Sequence, residues 1–439
     1  MGLSHQIYEA GVVGDGGAGF PTHKKLTTGV ELLIVNAAEC EPLLASDRYL
    51  MRREAEAIVA GILAITKEFS IPRAVIGTKA HYVREIAALK AAISGAGAKI
   101  EIFELDSFYP AGDEQTLVFE ITGKTVPPGG VPIALGIVVS NVTTIFQVFE
   151  ATQGTPVTHR FVTVNGAVAH PCIVDAPDGA IVADLVAAAG GATCEPYVFI
   201  RGGPLMGHQF KSDTAASTGY GKADGGLILL PPEHPLVRFN SKPVEHLMSE
   251  TQAACIQCQL CTEMCPRYLI GHQMRPHRVM RAFATGEDST AILDALLCCE
   301  CGVCELFACP MGIHPRAMNI QAKAMLRANG ITTPDHTVYP EHSHDRAGRK
   351  IGQQRFIQRW ELGVYPTEID DHVVLTPDRV IIPLKQGVGK PSTPCVAVGD
   401  HVAVGQVIAV VDESDVGALV HASIAGRVTA VSTSITIEQ

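Results

Sequence analysis

The sequence is short of positive charge: 34 Lys and Arg stand against 45 Asp and Glu, a net charge of -11 at pH 7. That balance argues against a nucleic-acid surface and against an anionic-membrane patch. No uninterrupted apolar run reaches ~18 residues, so no membrane-spanning helix is expected. The opening Met1-Gly2-Leu3-Ser4-His5-Gln6 has neither a basic region nor an apolar one, so no secretory signal is expected. Otherwise the composition is that of a folded globular protein, 47% hydrophobic with 42 Gly and 27 Pro. A chain of 439 residues has room for about two to four domains of ~100–200 residues each.

Cysteine carries the chemistry. Eight of the thirteen cysteines fall into two runs, Cys255-x2-Cys258-x2-Cys261-x3-Cys265-Pro266 and Cys298-x2-Cys301-x2-Cys304-x4-Cys309-Pro310. The first is the bacterial ferredoxin spacing for a [4Fe-4S] cluster; the second is longer by one residue. Short spacings let one loop supply three thiolates to a cubane, and the Cys before proline ligates the other cluster. One cluster is therefore expected on Cys255, Cys258, Cys261 and Cys309, the other on Cys298, Cys301, Cys304 and Cys265. Zinc knuckles or disulfides are the competing readings. Zinc sites usually take two pairs, often with His, and do not repeat a triplet plus Cys-Pro. Cys298 and Cys299 leave a choice of ligand, with spacing favouring Cys298. Cluster thiolates need a reducing compartment, and the other cysteines read as ordinary packing.

The rest of the chain divides by pattern. Residues 29–105 alternate strand and helix: strands at 30–37, 73–78 and 99–105, helices after Ser46 or Asp47 and at 83–93. That βαβαβ order implies a parallel sheet with helices on its faces, closed by an apolar stretch at 132–149. From Arg160 the pattern becomes a small β-grasp-like unit. A cap at Glu287-Asp288-Ser289-Thr290 would start a helix at 291–297. Residues 332–375 read as an extended connector with one helix near 351–362, whose His336, His342 and His344 read as solvated residues rather than metal ligands. The tail from Arg379 alternates short β-branched runs with turns, as in a small barrel or sandwich.

A glycine-rich loop, Gly14-Asp-Gly16-Gly17-Ala18-Gly19-Phe20-Pro21-Thr22-His-Lys24-Lys25, precedes the first strand. Glycines let backbone N–H groups approach an anion, and Lys adds a point charge. A dinucleotide fingerprint lies between the first strand and its helix, so the usual NAD-binding reading does not fit. The loop resembles the FMN loop of the flavoprotein subunit of respiratory NADH dehydrogenase and is similar to that of the RnfC subunit of ion-pumping ferredoxin:NAD oxidoreductases. Three further segments resemble the same family in the same order: Asn36-Ala-Ala-Glu39-Cys40-Glu41-Pro42, Tyr109-Pro-Ala-Gly112-Asp-Glu114 and Ser140-Asn141-Val142-Thr143-Thr144. There are departures too. Ala38 stands where the respiratory subunit has Asp, and residues 124–132 show no clear counterpart to the wall of its NADH pocket.

The resemblance implies a multidomain α/β protein: a Rossmann-like FMN/NADH-binding domain (1–155), a β-grasp SLBB domain (156–235), a helical two-cluster ferredoxin-like domain (245–330), a connector (331–375) and a C-terminal all-β barrel-sandwich domain (376–439). It implies that Gly14, Gly16, Gly17, Ala18, Gly19 and Lys25 hold the FMN phosphate end. Asn36, Asn141 and Thr144 would bind the flavin with Glu39 in the same segment, and Tyr109 would support its ring. Phe20, Glu41 and Glu114 would border the nicotinamide of NADH; packing is the alternative for each. Hydride donors give two electrons and clusters take one, and a flavin between them resolves the mismatch. In RnfC the barrel module comes first and here it comes last. That order is similar to the cobalamin reductases of propanediol-utilising microcompartments. It implies cobalamin as acceptor, a cobalamin adenosyltransferase or a shell protein as neighbour, and a cytoplasmic or microcompartment location. The competing function is an RnfC-like electron-conducting subunit docked on a membrane complex or on a shell. Shell docking is expected through the C-terminal barrel, with FMN binding surviving its deletion.

Overall fold

The computed structural model describes residues 2–16, 18–286, 289–334 and 341–439. Gly17, the expected cap residues Glu287 and Asp288, and His336 therefore lie outside the described residues.

The N-terminal domain is built on four parallel strands in the order Ile100–Leu105, Arg73–Lys79, Leu32–Ala37, Ile137–Asn141. The apolar run Leu32–Ala37 forms a central strand because both its faces are covered. Leu33, Val35 and Ala37 join the core under the helices Ala55–Glu68 and Val142–Thr152, while Leu32 and Ile34 join Leu117 and Val118 of the helix Glu114–Thr122. After Leu32–Ala37 the chain moves to one side for two strands, then returns to the other for Ile137–Asn141. Strand order thus reverses between Leu32–Ala37 and Ile137–Asn141. Open α/β sheets take ligands in the crevice at the carboxyl ends of such a pair.

Neither expected cap acts as one. The helix Ser46–Arg53 has no side-chain cap. Ser46 Oγ donates to Gly225 O (3.3 Å), and the Asp47 carboxylate accepts from Asn141 and Thr143. Tertiary partners have taken both side chains.

The β-grasp unit is part of a six-stranded sheet ordered His372–Val374, Cys172–Pro177, His159–Gly166, Gly226–Leu230, Val198–Arg201, His208–Lys211, with the helix Val182–Ala188 packed on it. Its edge strand His372–Val374 comes from the stretch expected to be an extended connector. That stretch is a strap instead. Ile351–Gly352 pairs with Phe108–Tyr109, and the helix Gln353–Arg359 buries Phe356 and Ile357 beside Trp360 and Leu362. These side chains fill the junction between modules, so burial fixes a segment whose polar composition reads as linker.

The cysteine runs lie among the helices Val244–Ala254, Pro276–Thr285 and Pro315–Ala328, with the 3-10 run Ser289–Leu297 where an α-helix is expected. The extra residue of the second run is taken up by a π-type turn at Cys304–Ala308. The tail folds as two small sheets, Arg379–Pro383/Ser434–Glu438/Gly426–Val431/His401–Val402 and Thr393–Pro394/Val407–Val410/Val420–His421, closed on a core that includes Ile382, Ile408, Val428 and Ile435.

Candidate flavin and iron-sulfur sites

Asn36 and Asn141 are register partners at the carboxyl ends of the switch-point strands. Asn36 Nδ2 donates to Gly112 O (2.9 Å) and its Oδ1 accepts from Ala38 N (3.2 Å). Asn141 caps the helix Val142–Thr152, its Oδ1 accepting from Thr143 N at 2.7 Å. The glycine-rich loop closes on itself through Gly14 N to Phe20 O (2.7 Å), and Asp15 N donates to Thr144 Oγ1 (2.8 Å). That bond lays the loop over the helix N-terminus, where backbone N–H groups and the helix dipole favour an anion. Gly16 (φ +103°) and Gly19 (φ +61°) turn the loop in conformations that suit glycine. Ala18 is exposed and Phe20 half-buried. Lys25 Nζ meets Glu114 Oε1 at 2.6 Å, both side chains about a third exposed.

Around the crevice, burial raises two carboxyl groups. Burial, then the charge of Asp47, raises Glu39 to about 8. Burial, then Asp15, raises Asp47 to about 6. Glu39 Oε1 accepts from Glu41 N at 2.9 Å. Buried Asp47 and Arg160 meet half-buried Asp15 and Asn141 in a set that sequence reasoning missed. Arg160 Nη2 meets Asp15 Oδ2 at 2.9 Å. The available signal was a lone Arg beside the apolar and β-branched run Phe161 to Val164 of the strand His159–Gly166.

Glu41 and Tyr109 are placed differently from the expectation. Both are buried. Tyr109 OH donates to the backbone O of Cys301 (2.7 Å) and lies 3.2 Å from Glu41 Oε1, while Glu41 Oε2 accepts from Leu205 N (2.8 Å). The Tyr109 ring meets Phe356 edge-on at 5.0 Å. Their polar atoms face the cysteine module and the β-grasp loop. Glu114 stays at the mouth of the crevice with Lys25.

None of the thirteen cysteines is in a disulfide. Cys255, Cys258, Cys261 and Cys309 line one cavity with His277, Met280 and Ile313. Burial, then Cys309, Cys255 and Cys258, pushes the Cys261 thiol up to about 12. Gln257, Gln259 and Glu300, set between cysteines, adopt positive φ of 56°, 67° and 60°. Gln257 Nε2 donates to Cys255 Sγ (3.1 Å) and Glu300 N to Cys298 Sγ (3.3 Å). Donors aimed at sulfur suit thiolates carrying the negative charge of a cluster. In the second set, burial raises Cys304, as do Glu305, Cys298, Cys261 and Cys265, so the two sets adjoin. Hydrogen bonding to Cys299 and burial raise Cys301, with Cys265 and Cys304 adding to it. Cys299 sits beside Arg267 and Cys301, and hydrogen bonding to Cys301 lowers its thiol to about 7. Each of Cys298 and Cys299 thus has a backbone donor, and spacing alone favours Cys298.

A flavin crevice joined by buried side chains to paired cysteine sets defines a flavo-iron-sulfur electron-transfer protein. The family models agree: residues 7–150 match the Nuo51 FMN-binding domain, 161–209 the SLBB domain, 254–314 a 4Fe-4S dicluster domain and 367–439 the RnfC barrel sandwich hybrid domain. The chain is 39% identical to cobalamin reductase PduS of Citrobacter freundii, covering 99% of this chain and 96% of that one. It is also 39% identical to PduS of Salmonella typhimurium, covering 98% and 94%. One component of the Na(+)-translocating ferredoxin:NAD(+) oxidoreductase complex of Acetobacterium woodii is 34% identical over 61% of this chain and 58% of its own. In fold alone, an NAD+-reducing [NiFe]-hydrogenase in its H2-reduced state is similar over 77% of this chain and 64% of its own, with a TM-score of 0.50 at 19% identity. The chain belongs to the PduS cobalamin reductase family, a family of oxidoreductases.

Proposed function

We propose that the protein oxidises NADH and passes the electrons to cobalamin for coenzyme B12 recycling. Supporting this most directly is the Tyr109 hydroxyl, which ties the crevice segment to the Cys301 carbonyl across 2.7 Å. When bound, FMN would supply the chemistry that matches a two-electron hydride donor to one-electron acceptors. The loop at Gly14 to Gly19 and Lys25 would hold its phosphate end; Asn36, Asn141 and Thr144 fix the crevice around it, and Glu114 would border the nicotinamide. Glu41 and Tyr109 position the seam to the cysteine module. Cys265, Cys298, Cys301 and Cys304 hold the inner cluster, and Cys255, Cys258, Cys261 and Cys309 the outer one.

The acceptor comes from the name of the PduS relatives. Housing in a bacterial microcompartment, beside a cobalamin adenosyltransferase or shell protein, belongs to the same reading. Among the described residues no helix is long and apolar enough to cross a membrane. A second reading, a conducting subunit with a docked protein acceptor, is favoured by the rim of the outer set, where Ile256 is 62% and Met311 45% exposed. Anaerobic stopped-flow mixing of the FMN- and iron-loaded protein with NADH and cob(III)alamin separates the two. Appearance of the cob(II)alamin spectrum is expected. Flavin and cluster bleaching with the corrin untouched favours the conducting subunit, and no bleaching at all would sink both.

A further inference from the structure

The glycine-rich loop is not held by its own domain alone. Val388 of the tail donates its N–H to Ala18 O at 3.0 Å. Gly387 lies so close that a Cβ placed on it would sit 2.2 Å from Gly19 O, and its φ of +144° disfavours any side chain. Beside it, buried Gln386 accepts from Lys222 N (2.7 Å) and donates to Asp178 Oδ2 (2.6 Å). Lys222, buried in turn, donates to Gly11 O and to Leu419 O, both at 2.9 Å, so one ammonium joins the segment leading into the loop to the tail. On the β-grasp side Arg160 reaches both Asp15 (2.9 Å) and Gly221 O (3.2 Å). Three modules therefore converge on a loop whose glycines give it many conformations to lose. Setting such a loop in advance strengthens binding by lowering the ordering cost.

We propose that the C-terminal barrel is part of the flavin site. The turn at residues 386–388, with Lys222 behind it, holds the loop in its anion-binding shape before FMN arrives. The inference rests on the assignment of this loop to the FMN phosphate. It replaces the expectation that FMN binding survives loss of the tail.

The test is FMN affinity of the full-length chain, stripped of flavin with its clusters retained, measured anaerobically by quenching of FMN fluorescence. Gly387→Val, Gln386→Ala and Lys222→Met are each expected to weaken binding about tenfold or more. Ile435→Ala removes part of the barrel core, where Ile435 is fully buried, but leaves the turn in place and is expected to stay within about twofold. Amide exchange at residues 14–20 should quicken in flavin-free Gly387→Val. Affinity unchanged in all three variants, with cluster absorbance intact, overturns the proposal. So does an equal loss in Ile435→Ala, which would trace the effect to general barrel stability. Should Gly387→Val not fold, the Gln386 and Lys222 variants decide. If the unsubstituted chain binds no FMN, the flavin assignment falls and the proposal with it.

Discussion

The cysteine set at Cys265, Cys298, Cys301 and Cys304 lies under the N-terminal domain, whereas the set at Cys255, Cys258, Cys261 and Cys309 opens to solvent at Cys258. Both have the same thiolate chemistry and nearly the same spacing. Their surroundings differ. The inner set is tied to the crevice domain by Tyr109 OH to Cys301 O (2.7 Å), by Arg267 to Asp113 (2.7 Å) and by Thr125 Oγ1 to Ile270 O (2.7 Å). The outer set is ringed by exposed Ile256 and Met311. Since burial and hydrogen bonds to sulfur set cluster potentials, equal ligands in unequal surroundings should differ in potential and in partner. The inner set suits exchange within the chain, and the outer set suits exchange with an acceptor.

The largest effect that would break this contrast comes from removing one ligand in each set. Cys301→Ser should abolish NADH-driven reduction of the outer cluster, with acceptor turnover down at least about 100-fold, the upper range for disturbing even an outer-shell partner. Cys258→Ser should lose turnover to the same degree but keep NADH-dependent bleaching of the flavin and inner cluster. Electron paramagnetic resonance after one NADH addition reads the difference; matching spectra would end the inner and outer distinction. Next is Arg267→Met. Arg267 and Asp113 are only 11% and 12% exposed, and breaking a buried pair from one side costs about 3–5 kcal/mol. Anaerobic denaturant unfolding measures it, and a loss below about 1 kcal/mol would place this seam with ordinary surface pairs. Tyr109→Phe leaves the Cys301 carbonyl without its donor and should cost about 1–3 kcal/mol. Gln257→Ala, which removes only the donor to Cys255 at the open set, should stay within about 0.5 kcal/mol. Equal losses in Tyr109→Phe and Gln257→Ala would erase the contrast in tethering.

Much of this was legible because it is local. Eight cysteines at short spacing, a continuous apolar strand at Leu32–Ala37 and the order of strands and helices in the first domain are properties of neighbouring residues. What stayed hidden is tertiary. Asp47 reads as a helix cap until Asn141 and Thr143, nearly a hundred positions away, take its carboxylate. Tyr109 and Glu41 read as flavin and nicotinamide neighbours, because nothing in their segment reveals that Cys301 and Leu205 fold against them. The strap at Ile351, Phe356 and Trp360 is disguised by the His, Arg and Pro around it. Gly387 reads as an ordinary turn glycine, and only the approach of Gly19 shows what its missing side chain is for. The tail also lies against the start of the chain, where Tyr8 OH donates to Val411 O at 2.8 Å.

The smallest effect belongs to the seam between the first domain and the β-grasp sheet, where the tie is charged but wet. His159 lies 3.2 Å from Asp175 and 3.3 Å from Glu150, with its side chain 36% exposed. Hydrogen bonds donated to Asp175, then to Glu150, raise its imidazole to about 10, well above the ordinary 6.5. A histidine whose folded value is raised stabilises the fold fully below its unfolded value, and that contribution fades as pH climbs through the folded one. His159→Gln should therefore lower the anaerobic melting temperature at pH 6, less at pH 8.5, and not at all above about pH 10. Solvent screening keeps the shift small, well under that of Arg267→Met at the buried seam. A loss that is the same at every pH would mean that His159 acts through packing. The two seams would then differ in degree of burial but not in kind.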